Sequence, residues 1–403
     1  MVALSGPLVG LKVLDVGTVL AAPVAGTLLA DLGAEVVKIE HPTGDSLRWW
    51  GVNKEGAYLL WKVVNRNQKA ITLNLSKPKG QDLFRRLAKD VDIVIENFRP
   101  GTMTRWNIGF EALREINPGI IMVSISGWGQ NGPYSRRPGY GTLAEGMSGF
   151  AQLNGPEDGP PTLPPVGMAD GTSGLFAAYA ALAAVYSRDV AGTRRGQHVD
   201  ISLYESLFTL LGFTNAPVTQ YDQLRAVPQR MGNRTNYECP RNLYRTRDSR
   251  WISISSTNES MARRIFSAMG LEAVLDDPRF KDNDARLRNM DEVDSIVSGW
   301  MSKHDSKEIL ELFEKNEATA GIVYDVRDQF GDEHFRARGN IITVEDPELG
   351  QMKMHGVYPV FPEMPGTVRH SGLPIGSDNV EIYRDRLGLS EEELESLRRD
   401  GVI

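Results

Sequence analysis

The chain reads as an α/β protein, with a doubly wound, mostly parallel, Rossmann-like sheet in a large domain and a smaller α+β domain behind it. Three observations predict this. The first forty residues run strand–helix–strand, the same rhythm recurs to about residue 127, and the style changes near Val218. In the first unit "LKVLDVG" is a short β-rich apolar run and "PVAGTLLADLGA" has helical spacing, with Pro23 near its first turn. "EVVKIEHP" is a second β-rich run, stopped at Pro42. Two strands joined through a helix are parallel and buried on both faces, so they read as apolar runs rather than alternations.

The next elements repeat the pattern. "KAITLNL" and "VDIVIENF" are strands around the amphipathic "PKGQDLFRRLAKD", and "GFEALREINP" leads into the strand "GIIMVSISGWG". Residues 135–165 are rich in Gly and Pro and read as loops with one short helix. An alanine-rich helix follows, then a hairpin-like "RRGQHVDISLYESL" in which "VDISL" is a strand and "YESLFTLLGF" a helix. The polar "TQYDQLRAVPQRMGNRTNYECPRN" reads as a linker. "LYRTRDSRWISISS" is a hairpin turning at Arg247–Ser249, and "ESMARRIFSAMG", "DEVDSIVSGWMSK" and "SKEILELFEKN" are helical. "IITVEDPELGQMKMHGVYPVFPEMPG" returns to strands and "SEEELESLRRDG" is a last helix. The expected organisation is a large domain over 1–217, a linker over 218–240, a small domain over 241–325, and a segment over 326–403 that returns to the large domain.

Bulk properties narrow the function. The 403 residues carry a formal net charge of −7, so no general attraction to nucleic acid is expected, and an anionic ligand needs a local basic pocket. A single cysteine, Cys239, rules out an intrachain disulfide and fits a cytoplasmic location. The longest apolar stretch, "GLFAAYAALAAVYS", reads as too short and too alanine-rich for a membrane span. The six histidines are scattered and form no ligand pair, so no metal site is expected, and the lone His198 reads as structural.

Familiar chemistries are missing. Glu40 ends the second strand where a ribose-binding acid belongs, but the first turn, "DVGTVLAAP", lacks G-x-G-x-x-G. There is no Walker A sequence and no G-x-S-x-G elbow. What remains is basic material near strand ends. Asn97, Arg99 and Arg105 lie in "IENFRPGTMTRWNIG", Arg66 and Lys69 in "NRNQK", and Arg136 and Arg137 in "YSRRPGY". Such arginines either neutralise phosphates or pair with surface acids. In "PPVGMADGTSGLFAAYAALAAVYSR", Asp170 stands where an apolar patch meets the helix. Taken alone, it reads as a helix cap.

Together these segments carry a resemblance. "GPLVGLKVLDVG" with "AAPVAGTLLADLGAEVVKIE", then "NRNQKAITLNL", "ENFRPGTM", "NPGIIMVSISGWGQNGPYSRRPGY", "ADGTSGLFAAYAALAAVYSR" and "GQHVDISLYES" resemble, in order and over nearly the whole chain, the family III CoA-transferases. The resemblance implies an interlocked dimer, either of identical chains or of paralogues, and coenzyme A and acyl-CoA as substrates with no tightly bound cofactor. It implies that Asp170 is the nucleophile, kept ionised by the N–H dipoles of the helix end. It also implies CoA contacts from Val19, Leu20 and Ala21, from Leu73, Asn97, Phe98 and Arg99, and from Arg105, with His41 near the phosphates and Tyr140 near the thioester. Leu20 and His41 replace a glutamine and an arginine of formyl-CoA transferase. In place of that enzyme's glycine-rich lid stands "SISSTNES", which reads as a helix-capping segment.

The expected activity is transfer of CoA from an acyl-CoA to a carboxylic acid, the acceptor being a dicarboxylate such as malate or a substituted succinate. Arg225, Arg230 and Arg234 would take the second carboxylate. The alternatives are a 2-methylacyl-CoA racemase and a non-catalytic CoA-binding protein. The racemases resembled here use a His–Asp pair where this chain has Tyr140–Gly141, so a second base is missing.

Overall fold

The computed structural model describes residues 4–403. Contacts divide the chain into two compact units. The first takes in the residues up to Ala151, Leu163–Val227 and Arg336–Ile403, and the second Gln152–Thr162 and Pro228–Phe335.

The first unit is built on six parallel strands, β1 (Lys12–Asp15), β2 (Glu35–Glu40), β3 (Lys69–Thr72), β4 (Ile93–Glu96), β5 (Ile121–Ser126) and β6 (His198–Ser202). Their order across the sheet is β3-β2-β1-β4-β5-β6. The chain therefore winds one way from β1 to β3, then crosses back beside β1 to place β4. That reversal opens a crevice beyond the strand ends between β1 and β4. Alternate strand residues feed two cores. Val13, Val36, Ile93, Ile95 and Val123 pack under helix α1 (Ala21–Asp31) and helix α2 (Met168–Asp189). Leu14, Val37, Ile71, Val94 and Met122 pack with Leu83, Phe84 and the C-terminal Tyr383 and Leu394 on the other face.

Helix α2 is alanine-rich because it crosses α1 closely. A Cβ on Gly174 would come within 2.9 Å of the Ala21 carbonyl and closer still to the Val24 side chain. Its 22 residues exceed the stretch read from the sequence, so by length and composition it could cross a membrane. Ala169, Ser173, Ala177, Ala181 and Ala184 are nevertheless buried against neighbouring elements of this unit.

Several expectations are corrected. "RRGQHVDISLYESL" is no hairpin, since β6 joins β5 in parallel. The Gly/Pro-rich stretch holds two short helices, Gly141–Met147 and Phe150–Leu153. The expected linker begins with a helix, Pro217–Leu224, which continues the first unit from the helix Leu203–Thr214. The C-terminal segment seals the edge strand β3, where Ala70 N–H donates to Asp378 at 2.7 Å and Thr72 N–H to Asn379 at 2.9 Å.

In the second unit the hairpin Arg241–Arg245 and Trp251–Ser255 turns at Ser249, and Ala320–Ile322 adds the third strand. Asn258, in the segment read as helix-capping, accepts the Met261 N–H at 2.9 Å and starts the helix Glu259–Ala268. This unit runs to Phe335, past the expected end at residue 325.

Candidate active site

The crevice at the β1/β4 reversal is a cleft of about 570 Å³. Its walls are the loop after β1 (Thr18–Ala21), the loop after β4 (Asn97–Pro100), Arg137–Thr142 and Leu163–Gly167 with Asp170. The two strand loops are tied together. Thr18 N–H donates to the Asn97 side-chain oxygen Oδ1 at 2.7 Å, and Asn97 Nδ2 donates back to the Thr18 backbone carbonyl at 2.7 Å. A pyrophosphate-type glycine turn is absent, and Val19 has a left-handed backbone, φ 66°. For a β-branched residue that costs roughly 1–3 kcal/mol and persists only where the surroundings enforce it.

Asp170 is the third residue of α2. It does not cap that helix. The first two N–H groups, on Met168 and Ala169, donate to Glu145 at 3.1 and 3.3 Å. Glu145 is 3 % exposed and reaches them from the neighbouring helix Gly141–Met147. Asp170 is therefore left with its own backbone N–H and no cationic partner among the described residues. Burial first, and the Glu145 charge second, push its carboxyl up to about 6. The expectation that helix dipoles hold it well ionised is corrected, because Glu145 takes those donors. At pH 7 Asp170 is still about nine-tenths carboxylate. It is poorly solvated and, among the described residues, unpaired.

Gly141 explains how the carboxylate fits. A Cβ built there would lie 2.2 Å from Asp170 Oδ2. Tyr140, the residue before that helix, is 66 % exposed and faces the cleft.

Of the other residues marked from the sequence, Val19, Leu20, Ala21, Asn97, Phe98 and Arg99 line the cleft. Arg137 joins them, its guanidinium 3.7 Å from the centre of the Tyr134 ring. His41, Leu73 and Arg105 do not line it. The Leu73 side chain, at 2 % exposure, is part of the core beneath the sheet, because an apolar residue just past a buried strand continues its packing. His41 is exposed and bonds Thr43, and Arg105 donates to Thr102 at 2.9 Å. Arg66 is spent on Asp31 and Lys69 on Glu35 and Glu381, so neither is free for a phosphate. Arg234 is likewise spent on Asp291 and Asp294, and Arg230 donates to Gln152. Glu40 pairs with Arg48 at 2.6 Å, and His198 shares a hydrogen bond with Ser124 at 2.8 Å.

Sequence reasoning missed Glu145 and two of the buried acids that end strands. Glu96 ends β4 and accepts the Phe98 N–H at 2.8 Å, and burial pushes its carboxyl up to about 7. Asp15 ends β1 and accepts the Gly17 N–H at 2.9 Å. The available signal was an acid closing an otherwise apolar strand run.

A reversal-point cleft with a half-buried carboxylate at its wall, unpaired among the described residues, lies where open α/β sheets bind their ligands. The model of "CoA-transferase family III" matches residues 8–379. A succinyl-CoA–D-citramalate CoA-transferase of Chloroflexus aurantiacus is 39 % identical, over 98 % of this chain and 98 % of its own. The beta subunit of a succinyl-CoA–L-malate CoA-transferase from the same organism is 36 % identical, with 98 % of each chain covered. A solved CAIB/BAIF family protein from Brucella suis superposes with a TM-score of 0.82 at 30 % identity, covering 94 % of this chain and 99 % of that one. The chain belongs to CoA-transferase family III and is a CoA-transferase.

Proposed function

We propose that the chain moves CoA from succinyl-CoA, or a similar acyl-CoA, to a small dicarboxylic acid through covalent intermediates on Asp170. The observation that carries this reading is the unpaired Asp170 carboxylate, half-buried in the cleft at the sheet reversal. Its oxygen attacks the thioester carbonyl, forming a mixed anhydride and releasing CoA thiolate. The thiolate attacks the aspartyl carbonyl of the anhydride, leaving CoA as a thioester on Asp170 and freeing the donor acid. The acceptor carboxylate attacks that thioester, giving a second anhydride and thiolate. The thiolate then attacks the acceptor's acyl carbon, and Asp170 is regenerated. No net proton is consumed, so the cycle needs no separate base. Gly141 puts none opposite Asp170, which favours transfer over racemisation.

The dicarboxylate assignment is supported by the names of the relatives and by Arg99 and Arg137. These are exposed guanidinium groups in the cleft, outside any ion pair among the described residues, able to take CoA phosphates or a distal carboxylate. A second copy of the chain is proposed as partner. Leu175, Tyr179 and Tyr186 on α2, with Phe213, Tyr221 and Leu224 beyond it, are all more than half exposed, an apolar surface of the kind subunits cover. A panel of organic acids incubated with succinyl-CoA and read by mass spectrometry tests the substrate reading. A new acyl-CoA from D-citramalate, malate or a close relative supports it, and product only from monocarboxylates overturns the dicarboxylate assignment.

A further inference from the structure

The loop after β1 forms one wall of the cleft, yet its shape is enforced from behind by charges that do not line the cleft. Asp45 and Asp15 are almost wholly buried and share one buried cation, Lys38, at 3.5 and 3.4 Å. Both oxygens of Asp45 accept the Val19 N–H, at 3.1 Å each, and one also accepts the Leu47 N–H at 2.9 Å. Lys38 donates to the Gly17 carbonyl, and Asp15 accepts the Gly17 N–H. Asp45 is itself placed by Glu40, which accepts its N–H at 2.9 Å. The loop residues 17 and 19 are thus gripped at three backbone groups, and Val19 is held at positive φ. The far end of the loop meets the nucleophile's turn, since a Cβ on Gly167, the residue preceding α2, would lie 3.1 Å from Leu20 Cδ1.

We propose that Asp45, backed by Lys38, is a positioning residue for acyl-CoA: it locks residues 17–20 in the left-handed turn that sets the wall against which the thioester arm lies beside Asp170. This rests on the transfer reading above. A helical or extended Val19 would turn the Val19 N–H away from Asp45 and move Leu20 relative to Gly167. Binding of the donor, rather than reactivity of Asp170, is what the lock controls.

The test uses the full chain, succinyl-CoA as donor and the best acceptor from the acid panel. Asp45→Ala is expected to raise KM for succinyl-CoA about tenfold, with kcat and acceptor KM changed less than about threefold, and Asp45→Asn to give a smaller rise because it keeps one acceptor. Glycine adopts positive φ without strain, so in a Val19→Gly background Asp45→Ala should raise KM less than about threefold over that background. An equal rise in both backgrounds overturns the proposal. So does an unchanged KM with kcat falling in step with the folded fraction. Should Asp45→Ala not fold, Asp45→Asn decides by amide exchange. The 17–21 backbone should exchange at least about tenfold faster with β1 and β2 unchanged, and unchanged exchange in that segment overturns the lock. Wild-type chain that transfers no CoA would contradict the functional reading, while the exchange result would still decide the role of Asp45.

Discussion

Asp31 and Asp170 are both helical aspartates of the first unit, and their surroundings are opposite. Asp31 is 3 % exposed and accepts from Arg66 Nε and Nη2 and from the Asn67 amide. Arg66 in turn donates to the His355 carbonyl at 2.6 Å, so this ion pair ties α1 to the C-terminal hairpin Ile341–Asp346 and Gly350–His355. Among the described residues Asp170 has no cation beside it, an acid as neighbour, and a glycine where any side chain would collide with it. One carboxylate is neutralised and serves architecture. The other is kept costly and available. A pKa raised from 3.8 to about 6 opposes folding by about 3 kcal/mol at pH 7, a penalty relieved as pH falls from 6 toward 4. Such a cost fits the nucleophile proposed for the transfer reaction.

The sharpest way to break this contrast is to remove each acid in turn. Asp170→Asn should lower transfer by about 10⁴-fold or more while raising stability at pH 7 by about 1–3 kcal/mol, read by steady-state rates and urea unfolding. A loss of no more than about tenfold in rate would put Asp170 in the architectural class. Asp31→Ala should do the reverse. With Arg66 left buried and unpaired, unfolding free energy should fall by about 3–5 kcal/mol, while kcat per folded molecule stays within about threefold. Gly141→Ala tests the space around the nucleophile. Displacing Asp170 by even 1 Å should cost about 10²-fold in kcat with little change in melting temperature. The smallest expected effect is on pH dependence. In the wild type kcat/KM should fall below an apparent pKa of about 6 as Asp170 is protonated, and Glu145→Gln should move that limb to lower pH by removing a like charge.

The same contrast shows what could be read from the sequence. Buried parallel strands announce themselves as apolar runs, and β1 to β5 fall within the runs that mark them. The stretch around Asp170 drew attention because an acid interrupts apolar residues, but taken alone it read as a helix cap, and only the family resemblance implied a nucleophile. What removes the capping role is Glu145, 25 residues earlier and on another helix, which takes the N–H groups a cap would take. Its own signal was an acid within "TLAEGM", on a helix whose neighbouring Ala144 is fully buried. Gly141 was marked only as a place where a second base is missing, and nothing local showed that it makes room for Asp170. Arginines misled for a related reason. Composition cannot tell Arg66, matched to a distant Asp31, from Arg99 and Arg137, which face the cleft with no ion-pair partner among the described residues. His41 and Leu73 were placed by resemblance to positions near strand ends, where a shift of one residue moves a side chain from cleft to core.

The central claim is that the Asp170 carboxyl becomes covalently linked to CoA during turnover. The direct measurement is peptide mass spectrometry after incubating the chain with succinyl-CoA and quenching with hydroxylamine, which converts an aspartyl thioester to a hydroxamate and frees CoA. The account predicts the hydroxamate on Asp170 and on no other acid, at a level that rises with donor concentration. Transfer that proceeds with Asp170 unmodified, or with the mark on a different carboxylate, would contradict it.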